Sequence, residues 1–129
     1  MNKLDKESVI GISALLVHAA NIDENYSDHE KEIVREFIKS YLKHENSNEI
    51  LKKAEGIEKD SNQLLNYTNI IKQNSLEIKK DIIEHLWKVL ISDNTVDQYE
   101  SNLMRRICGL IYFSDKECAE IKLKLINKK

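Results

Sequence analysis

Hydrophobic residues recur at the spacing of an α-helix along nearly the whole chain, in segments separated by short polar stretches. The segment of about residues 6–21 is apolar on most of its circumference, which is typical of a helix packed on several sides. A later segment carries apolar residues on one helical face, at Ile78, Ile82, Ile83, Leu86, Val89 and Leu90. Proline is absent and glycine occurs three times, so the usual breaks of sandwiches and barrels are missing. The pattern predicts an all-α bundle of about seven helices.

Capping residues mark where the predicted helices begin. Ser27 and Glu30 form a capping box, in which the serine hydroxyl accepts from the Glu30 N–H and the glutamate carboxylate accepts from the Ser27 N–H. The second helix should therefore run from about residue 28 to 43. The same reasoning places further helix starts at residues 46–49, 60–63, 74–77, 97–100 and 114–117. Gly56 is expected to lie between the third helix and the fourth.

A short acidic pattern occurs twice at a constant offset. Residues 23–30 read DENYSDHE and residues 93–100 read DNTVDQYE, so that each copy has an acid, an apolar residue, a helix-capping residue and a final Glu in the same register. The register extends outward, where Ile12 matches Ile82 and Arg35 matches Arg105. We infer that a helix, acidic turn and helix unit has been duplicated, with pseudo-twofold packing of the two copies.

Length and composition indicate one domain, because 129 residues with 41% hydrophobic content suffice for a single core. We divide it into repeat 1 at about residues 6–43, connecting helices at about 47–72, repeat 2 at about 75–113 and a C-terminal helix at about 115–127. Cys108 and Cys118 fall on apolar helix faces and are expected to be buried free thiols. Trp87 is expected in the core, and His18 as a hydrogen-bonded packing residue.

The acidic turns have two explanations. Capping alone accounts for Glu30 and Glu100, since a capping box stabilises a helix start by about 1 kcal/mol without a ligand. Asp23 and Asp93 are harder to explain, because each is predicted at the negative end of the preceding helix dipole, where a carboxylate is unfavourable unless a cation compensates. Oxygen-rich turns suit a hard cation such as Ca²⁺ or Mg²⁺. The candidate metal ligands are Asp23, Glu30, Asp93 and Glu100.

Known site patterns exclude several other functions. An EF-hand loop needs Gly at its sixth position, where the two turns have Asp28 and Gln98. None of the four histidines follows a Glu by three residues, as a di-iron bundle would require. The chain has no HExxH, CxxC, P-loop, GxSxG or GxGxxG motif. We therefore expect no enzymatic activity and no catalytic residues.

Charge and hydropathy limit the partners. A net charge of −2 argues against nucleic acid. The first residues are charged where a signal peptide would be apolar, and the longest apolar stretch, about residues 9–22, is too short to cross a bilayer. We expect a cytoplasmic protein with a protein partner whose identity stays open. Lysines around the apolar face of the last helix leave peripheral membrane association as an alternative to a solvated outer face.

Several of these motifs together resemble the tellurite-resistance TerB-like family, whose domain also occurs in the membrane-anchored co-chaperone DjlA. The resembling segments are residues 19–30, the Leu86–Trp87 pair, and residues 93–106 with their Asp-Gln-Tyr-Glu sequence. In place of the family's Gly after each Asp, this chain has Glu24 and Asn94. The resemblance implies a compact helical domain with acidic turns proposed to bind divalent metal, acting in stress-response assemblies without an established enzymatic activity.

Two hypotheses follow from the sequence. In the first, the chain is a non-enzymatic TerB-like module whose acidic turns bind a divalent cation or dock a partner. In the second, the acids only cap helices, and the chain is a metal-independent protein interaction or co-chaperone-type domain, with homodimer formation left open.

Overall fold

A computed structural model describes residues 5–21, 27–60, 64–91 and 98–127, with the side chains of residues 64–66 and 98–100 left aside. Within these ranges the chain is helical, and no strand is formed. The helices are α1 (Lys6–Asn21), α2 (Asp28–Tyr41), α3 (Ser47–Asp60), α4 (Leu64–Lys72), α5 (Leu76–Ile91), α6 (Gln98–Leu110) and α7 (Asp115–Asn127). The expected all-α bundle is confirmed.

Helix α1 lies at the centre of the bundle and packs against α2, α3, α4 and α5. Its residues from Gly11 to Val17 are all buried, which agrees with the apolar circumference read from the sequence. Gly11 permits a close approach of α4, because a Cβ atom at this position would lie 2.5 Å from Ile70 Cδ1. The absence of a side chain at Gly11 therefore helps to set the distance between these two helices.

Helix α5 is the second long buried helix and packs against α1, α2, α4 and α7. Ile82, Ile83 and Leu86 are fully buried, and Trp87 is buried as expected. Helix α6 contacts α4 and α7. The two helices that correspond in the duplicated pattern, α1 and α5, thus contact each other and carry most of the core.

Local capping fixes several helix starts as expected. The Ser27 box is complete, and Asn46 Oδ1 accepts from the N–H groups of Asn48 and Glu49 at 3.0 and 3.4 Å. Ser114 Oγ accepts from Glu117 N at 3.4 Å, while the Glu117 carboxylate lies 3.9 Å from Lys80 Nζ. The capping predicted at residues 114–117 is therefore correct for the Ser114 hydroxyl, whereas the Glu117 carboxylate faces Lys80 of α5.

Two predicted boundaries are wrong. Gly56 lies inside α3, which continues to Asp60; a glycine costs a helix about 1 kcal/mol, and burial of Leu51 and Ala54 against the core outweighs that cost. Asp60 therefore ends one helix and does not cap the next. Helix α2 ends at Tyr41, within two residues of its predicted end.

The turn between α6 and α7 has a left-handed residue. Tyr112 has a φ of 58°, and the following Phe113 N–H donates to the Cys108 carbonyl at 2.8 Å. A left-handed residue just after a helix lets the chain reverse and satisfies carbonyls of the last helical turn. This arrangement brings the start of α7 back beside the end of α6.

None of the described helices combines the length and the apolar character that crossing a lipid bilayer requires.

Candidate functional site

Of the four predicted metal ligands, Glu30 is the one whose side chain lies in the described part of the chain. Asp23 and Asp93 fall within residues 22–26 and 92–97, outside the described residues. Glu100 belongs to the first turn of α6, but its side chain is also outside them. The prediction that these four carboxylates share a cation stays a prediction.

Glu30 is buried, with 4% of its surface exposed. Its Oε1 accepts hydrogen bonds from Ser27 N at 2.8 Å and from Ser27 Oγ at 3.1 Å, and Ser27 Oγ accepts from Glu30 N at 3.3 Å. The positive end of the α2 dipole adds to the stabilisation of the carboxylate. The capping role is confirmed, and the box holds a carboxylate at the point where the first acidic turn enters α2.

A polar cluster lies at the other end of the same turn, where α1 finishes. His18 Nδ1 lies 3.5 Å from Glu58 Oε1, and Asn21 Nδ2 donates to Glu58 Oε2 at 3.2 Å. The His18 ring also lies against Tyr67, with ring centroids 6.5 Å apart. The expected packing role of His18 is confirmed, and α3 supplies the carboxylate that it contacts.

An open cavity of about 490 Å³ adjoins this cluster. It is lined by Val17, Asn21, Lys31, Lys52, Glu55, Gly56, Glu58 and Lys59. The lining includes three lysines and two glutamates, so the cavity suits a polar ligand with charges of both signs better than an apolar molecule. Gly56, whose Cβ position is open, leaves part of the wall without a side chain.

The described residues do not by themselves form a metal centre. Within the described ranges, no group of three His, Cys, Asp or Glu side chains is arranged to hold a metal ion. The nearest approach at the first turn is His18 with Glu58. A cation at this turn would need oxygen ligands from the turn itself, where Asp23 is the candidate.

Among the described residues, the end of α5 in the second repeat carries no polar cluster equivalent to that of His18, Asn21 and Glu58. In the register of the duplication, Ile91 takes the position of Asn21 and Lys88 takes that of His18. Ile91 is buried. The helix ends that precede the two acidic turns therefore differ. Among the described residues, the end of α1 is more polar than the end of α5.

Glu58 is the residue that sequence reasoning missed. It lies 37 residues from Asn21 along the chain, on a helix interpreted as a connector, and neither the duplicated register nor any spacing rule links the two. The residues around Glu58 did not indicate a functional site either. They form a stretch of mixed charge, and such a stretch usually makes up the solvated face of a helix. The packing of α3 on α1 and α2 is what brings Glu58 to the end of α1.

Comparison with known proteins gives one family match. A family model described as tellurite resistance protein TerB matches residues 10–123, a range that reaches from α1 into α7. Neither the comparison with curated proteins nor the comparison with solved structures finds a match.

Proposed function

The chain belongs to the family of the tellurite resistance protein TerB, and on that premise we propose that it is a non-enzymatic stress-response module whose acidic turns bind a divalent cation. The proposal includes no catalytic step, in keeping with a sequence that has no recognised catalytic motif. The proposed ligands are the carboxylates of Asp23, Glu30, Asp93 and Glu100.

The observation that carries the proposal is the buried Glu30 carboxylate beside the first acidic turn. A carboxylate as deeply buried as this one needs partners that hold it in place. Ser27 supplies hydrogen bonds to Oε1, and carboxylate oxygen is the ligand that Ca²⁺ and Mg²⁺ prefer. The same box that begins α2 would thus hold a ligand for a cation in the turn.

The packing of the duplicated helices gives further support. Helices α1 and α5 each lead into one acidic turn, and they pack directly against one another. At the first turn, Asn21 and Glu58 add polar side chains that could fix the turn or a bound water. We expect the first turn to dominate cation binding, since Ile91 replaces Asn21 in the second repeat.

Thermal unfolding of EDTA-stripped protein tests the proposal, with Ca²⁺, Mg²⁺, Mn²⁺ or Zn²⁺ added separately. A cation that binds only the folded state raises its stability by RT ln(1 + [L]/Kd), so a selective rise in Tm with a hard cation is expected. The double variant Asp23→Asn/Asp93→Asn should lose this rise and keep its helicity.

The matched control is Asp60→Asn/Asp115→Asn. These two exposed acids lie at the end of α3 and in the first turn of α7, outside both acidic turns, so their replacement makes the same change in net charge without touching the proposed site. The control should retain the cation-dependent rise. An unchanged Tm for the wild-type protein with all four cations would refute the cation-binding function.

A second candidate function is metal-independent protein interaction, favoured by apolar side chains on the outside of α7. Leu123 and Ile126 are exposed there, flanked by Lys122 and Lys124, while α7 packs on α5. Apolar residues among lysines suit an acidic amphipathic segment of a partner. This function predicts the same melting temperature with every cation, so the unfolding experiment separates the two candidates.

A further inference from the structure

Two buried cysteines meet where α6 turns into α7. Cys108 lies in the last turns of α6 and Cys118 in the first turn of α7, and both are free thiols. The two thiols lie close enough for the ionisation of each one to depend on the other. The hydrogen bond from Phe113 N to the Cys108 carbonyl holds the intervening turn in the conformation that brings the two sulfurs together.

Trp87 of α5 fixes Cys118 from the other side. The indole Nε1–H lies 3.1 Å from the Cys118 carbonyl oxygen and 3.3 Å from Cys118 Sγ, so it donates to both acceptors. Lys122, one helical turn after Cys118, places its Nζ 5.2 Å from the centroid of the Trp87 ring. Cys118 Sγ is therefore surrounded by an S–H donor, an N–H donor and a nearby ammonium group.

These neighbours make the two thiols chemically unequal. The Cys108 thiol lowers the pKa of Cys118 most, and the Trp87 N–H and the Lys122 ammonium group add to the lowering. Burial and the nearby Asp115 carboxylate oppose it, but the net pKa of Cys118 is lowered. The pKa of Cys108 is raised, chiefly because it donates to Cys118 and also because it is buried. Cys118 is thus the thiol that ionises first, and the thiolate is the reactive form of cysteine.

Cys118 also borders a surface cavity of about 240 Å³. The lining residues are Trp87, Ser101, Met104, Arg105, Asp115, Cys118, Ala119 and Lys122. Cys108 is fully buried and does not line it. A molecule as small as hydrogen peroxide therefore has a route to Cys118, while Cys108 is placed behind it.

We propose that Cys118 and Cys108 form a peroxide-reactive dithiol, in which Cys118 is oxidised first and Cys108 resolves it to a disulfide. The Cys118 thiolate attacks one oxygen of hydrogen peroxide, the O–O bond breaks, and the departing hydroxide takes a proton to leave as water. Cys118 becomes a sulfenic acid. The Cys108 sulfur then attacks Cys118 Sγ, its proton leaves with the sulfenic hydroxyl as a second water, and the S–S bond forms.

The overall reaction consumes two thiols and one peroxide and yields one disulfide and two waters. Peroxide is the oxidant, and the dithiol loses two electrons. The resulting bond would join α6 to α7 covalently across the Tyr112 turn. This proposal is independent of cation binding, because none of the four proposed cation ligands takes part in it.

The test exploits Trp87, which is the one tryptophan in the chain. A disulfide close to an indole quenches its fluorescence, so peroxide titration of the reduced protein should lower the Trp87 emission, and dithiothreitol should restore it. Mass spectrometry after alkylation in denaturant should find both thiols lost together, in a monomer lighter by two hydrogens.

Two single variants separate the proposed roles. Cys108→Ser should stop at the Cys118 sulfenic acid, which dimedone traps as an adduct on that residue. Cys118→Ser should show neither the adduct nor the loss of emission, with Cys108 still alkylated. Wild-type protein that keeps both thiols at peroxide concentrations that oxidise small-molecule thiols would overturn the proposal, and so would equal oxidation of Cys108 in Cys118→Ser. The wild-type result decides the matter even if a variant fails to fold.

Discussion

The Tyr41 hydroxyl donates a hydrogen bond of 2.7 Å to Asp81 Oδ2, which ties the end of α2 in the first repeat to α5 in the second. His85 also contacts Asp81: its Nδ1 lies 3.4 Å from Asp81 Oδ1 and 2.8 Å from the Asp81 carbonyl oxygen. The His85 ring packs edge-on against Phe37 of α2. A polar link and an aromatic contact thus join the same two helices.

Replacing Tyr41 by Phe should weaken this link in a pH-dependent way. Burial raises the pKa of Asp81, but the hydrogen bonds from His85 and Tyr41 outweigh it, and the pKa lies below its usual value of 3.8. A lowered folded-state pKa stabilises the protein above the unfolded-state pKa, and that contribution is lost as pH falls through the folded-state value. Tyr41→Phe should therefore cost about 1 kcal/mol near neutral pH and clearly less at pH values below 3.8.

Urea unfolding of the wild type and Tyr41→Phe across this pH range measures the difference. Tyr112→Phe is the control, because it also removes one tyrosine hydroxyl but from an exposed side chain. Its stability should follow the wild type at every pH. A Tyr41→Phe deficit that is equal at neutral and acidic pH would show that the hydroxyl does not act through the Asp81 carboxylate.

Gly11 and Ile70 should be energetically coupled. A Cβ at Gly11 would come within 2.5 Å of Ile70 Cδ1, so Gly11→Ala forces this half-buried side chain to move and offsets the gain in helix propensity of about 1 kcal/mol. In an Ile70→Ala background the space is open, and Gly11→Ala should then stabilise. We expect a coupling of about 1 kcal/mol in a double-mutant cycle of urea unfolding.

Gly56→Ala is the reference for that cycle. Gly56 lies inside α3 with no atom near its Cβ position, so its replacement should raise the free energy of unfolding by about 0.5–1 kcal/mol whatever residue occupies position 70. If Gly11→Ala and Gly56→Ala have the same effect in both backgrounds, the close approach of α1 and α4 at Gly11 is not limiting.

The turn that joins α6 to α7 should tolerate glycine in place of its left-handed residue. Tyr112 is exposed and has a φ of 58°, a conformation that costs a non-glycine residue about 1 kcal/mol. Its ring also lies 4.9 Å from Lys72 Nζ, a contact worth about 0.5 kcal/mol at an exposed site. Tyr112→Gly should therefore leave the stability close to that of the wild type, because the net relief of about 0.5 kcal/mol is offset by the entropy that glycine adds to the unfolded chain.

Thermal unfolding of Tyr112→Gly and of Lys72→Ala separates the cost of the left-handed backbone from the contribution of the contact between Lys72 and the Tyr112 ring. Lys72→Ala removes the ring contact without relieving the backbone, so it should be slightly destabilising. A lower Tm for Tyr112→Gly than for Lys72→Ala would mean that the backbone conformation of Tyr112 carries no cost.

Local chemistry explains which parts of the fold could be predicted from sequence. The start of α2 follows from Ser27 and Glu30, whose hydrogen bonds join residues three apart, and the ends of α1 follow from the apolar run itself. Gly56 was misjudged because the burial of neighbouring Leu51 and Ala54 depends on packing against other helices. Propensity is a weak prior that tertiary burial overrides.

Contacts between distant helices were beyond sequence reasoning. The bond from Tyr41 to Asp81 joins residues 40 apart, and that from Trp87 to Cys118 joins residues 31 apart. Each contact forms only if both helices turn the right side chain toward one another. A shift of one residue along either helix would point that side chain in a different direction. The acidic turns were found because their pattern is repeated within the chain, whereas Glu58 has no such repeat.

Substitutions of Glu30 can distinguish its role in helix capping from its proposed role in cation binding. A glutamine at the third helical position can replace glutamate in a capping box, so Glu30→Gln should keep the hydrogen bonds to Ser27 while removing the charge. We expect its unfolding free energy without metal to fall by about 0.5 kcal/mol, because the variant loses the negative charge that the α2 dipole stabilises. Its cation-dependent rise in Tm should be largely lost, because a neutral amide is a weaker ligand for a hard cation.

Glu30→Ala and Glu117→Gln complete the comparison. Glu30→Ala removes both the cap and the ligand, so it should lose about 1 kcal/mol without metal as well as the cation response. Glu117→Gln makes the same change in charge in the box that begins α7 and should respond to cations as the wild type does. A Glu30→Gln variant with the full cation response would leave this buried carboxylate as a helix cap alone, and the cation would have to be bound by the other proposed carboxylates.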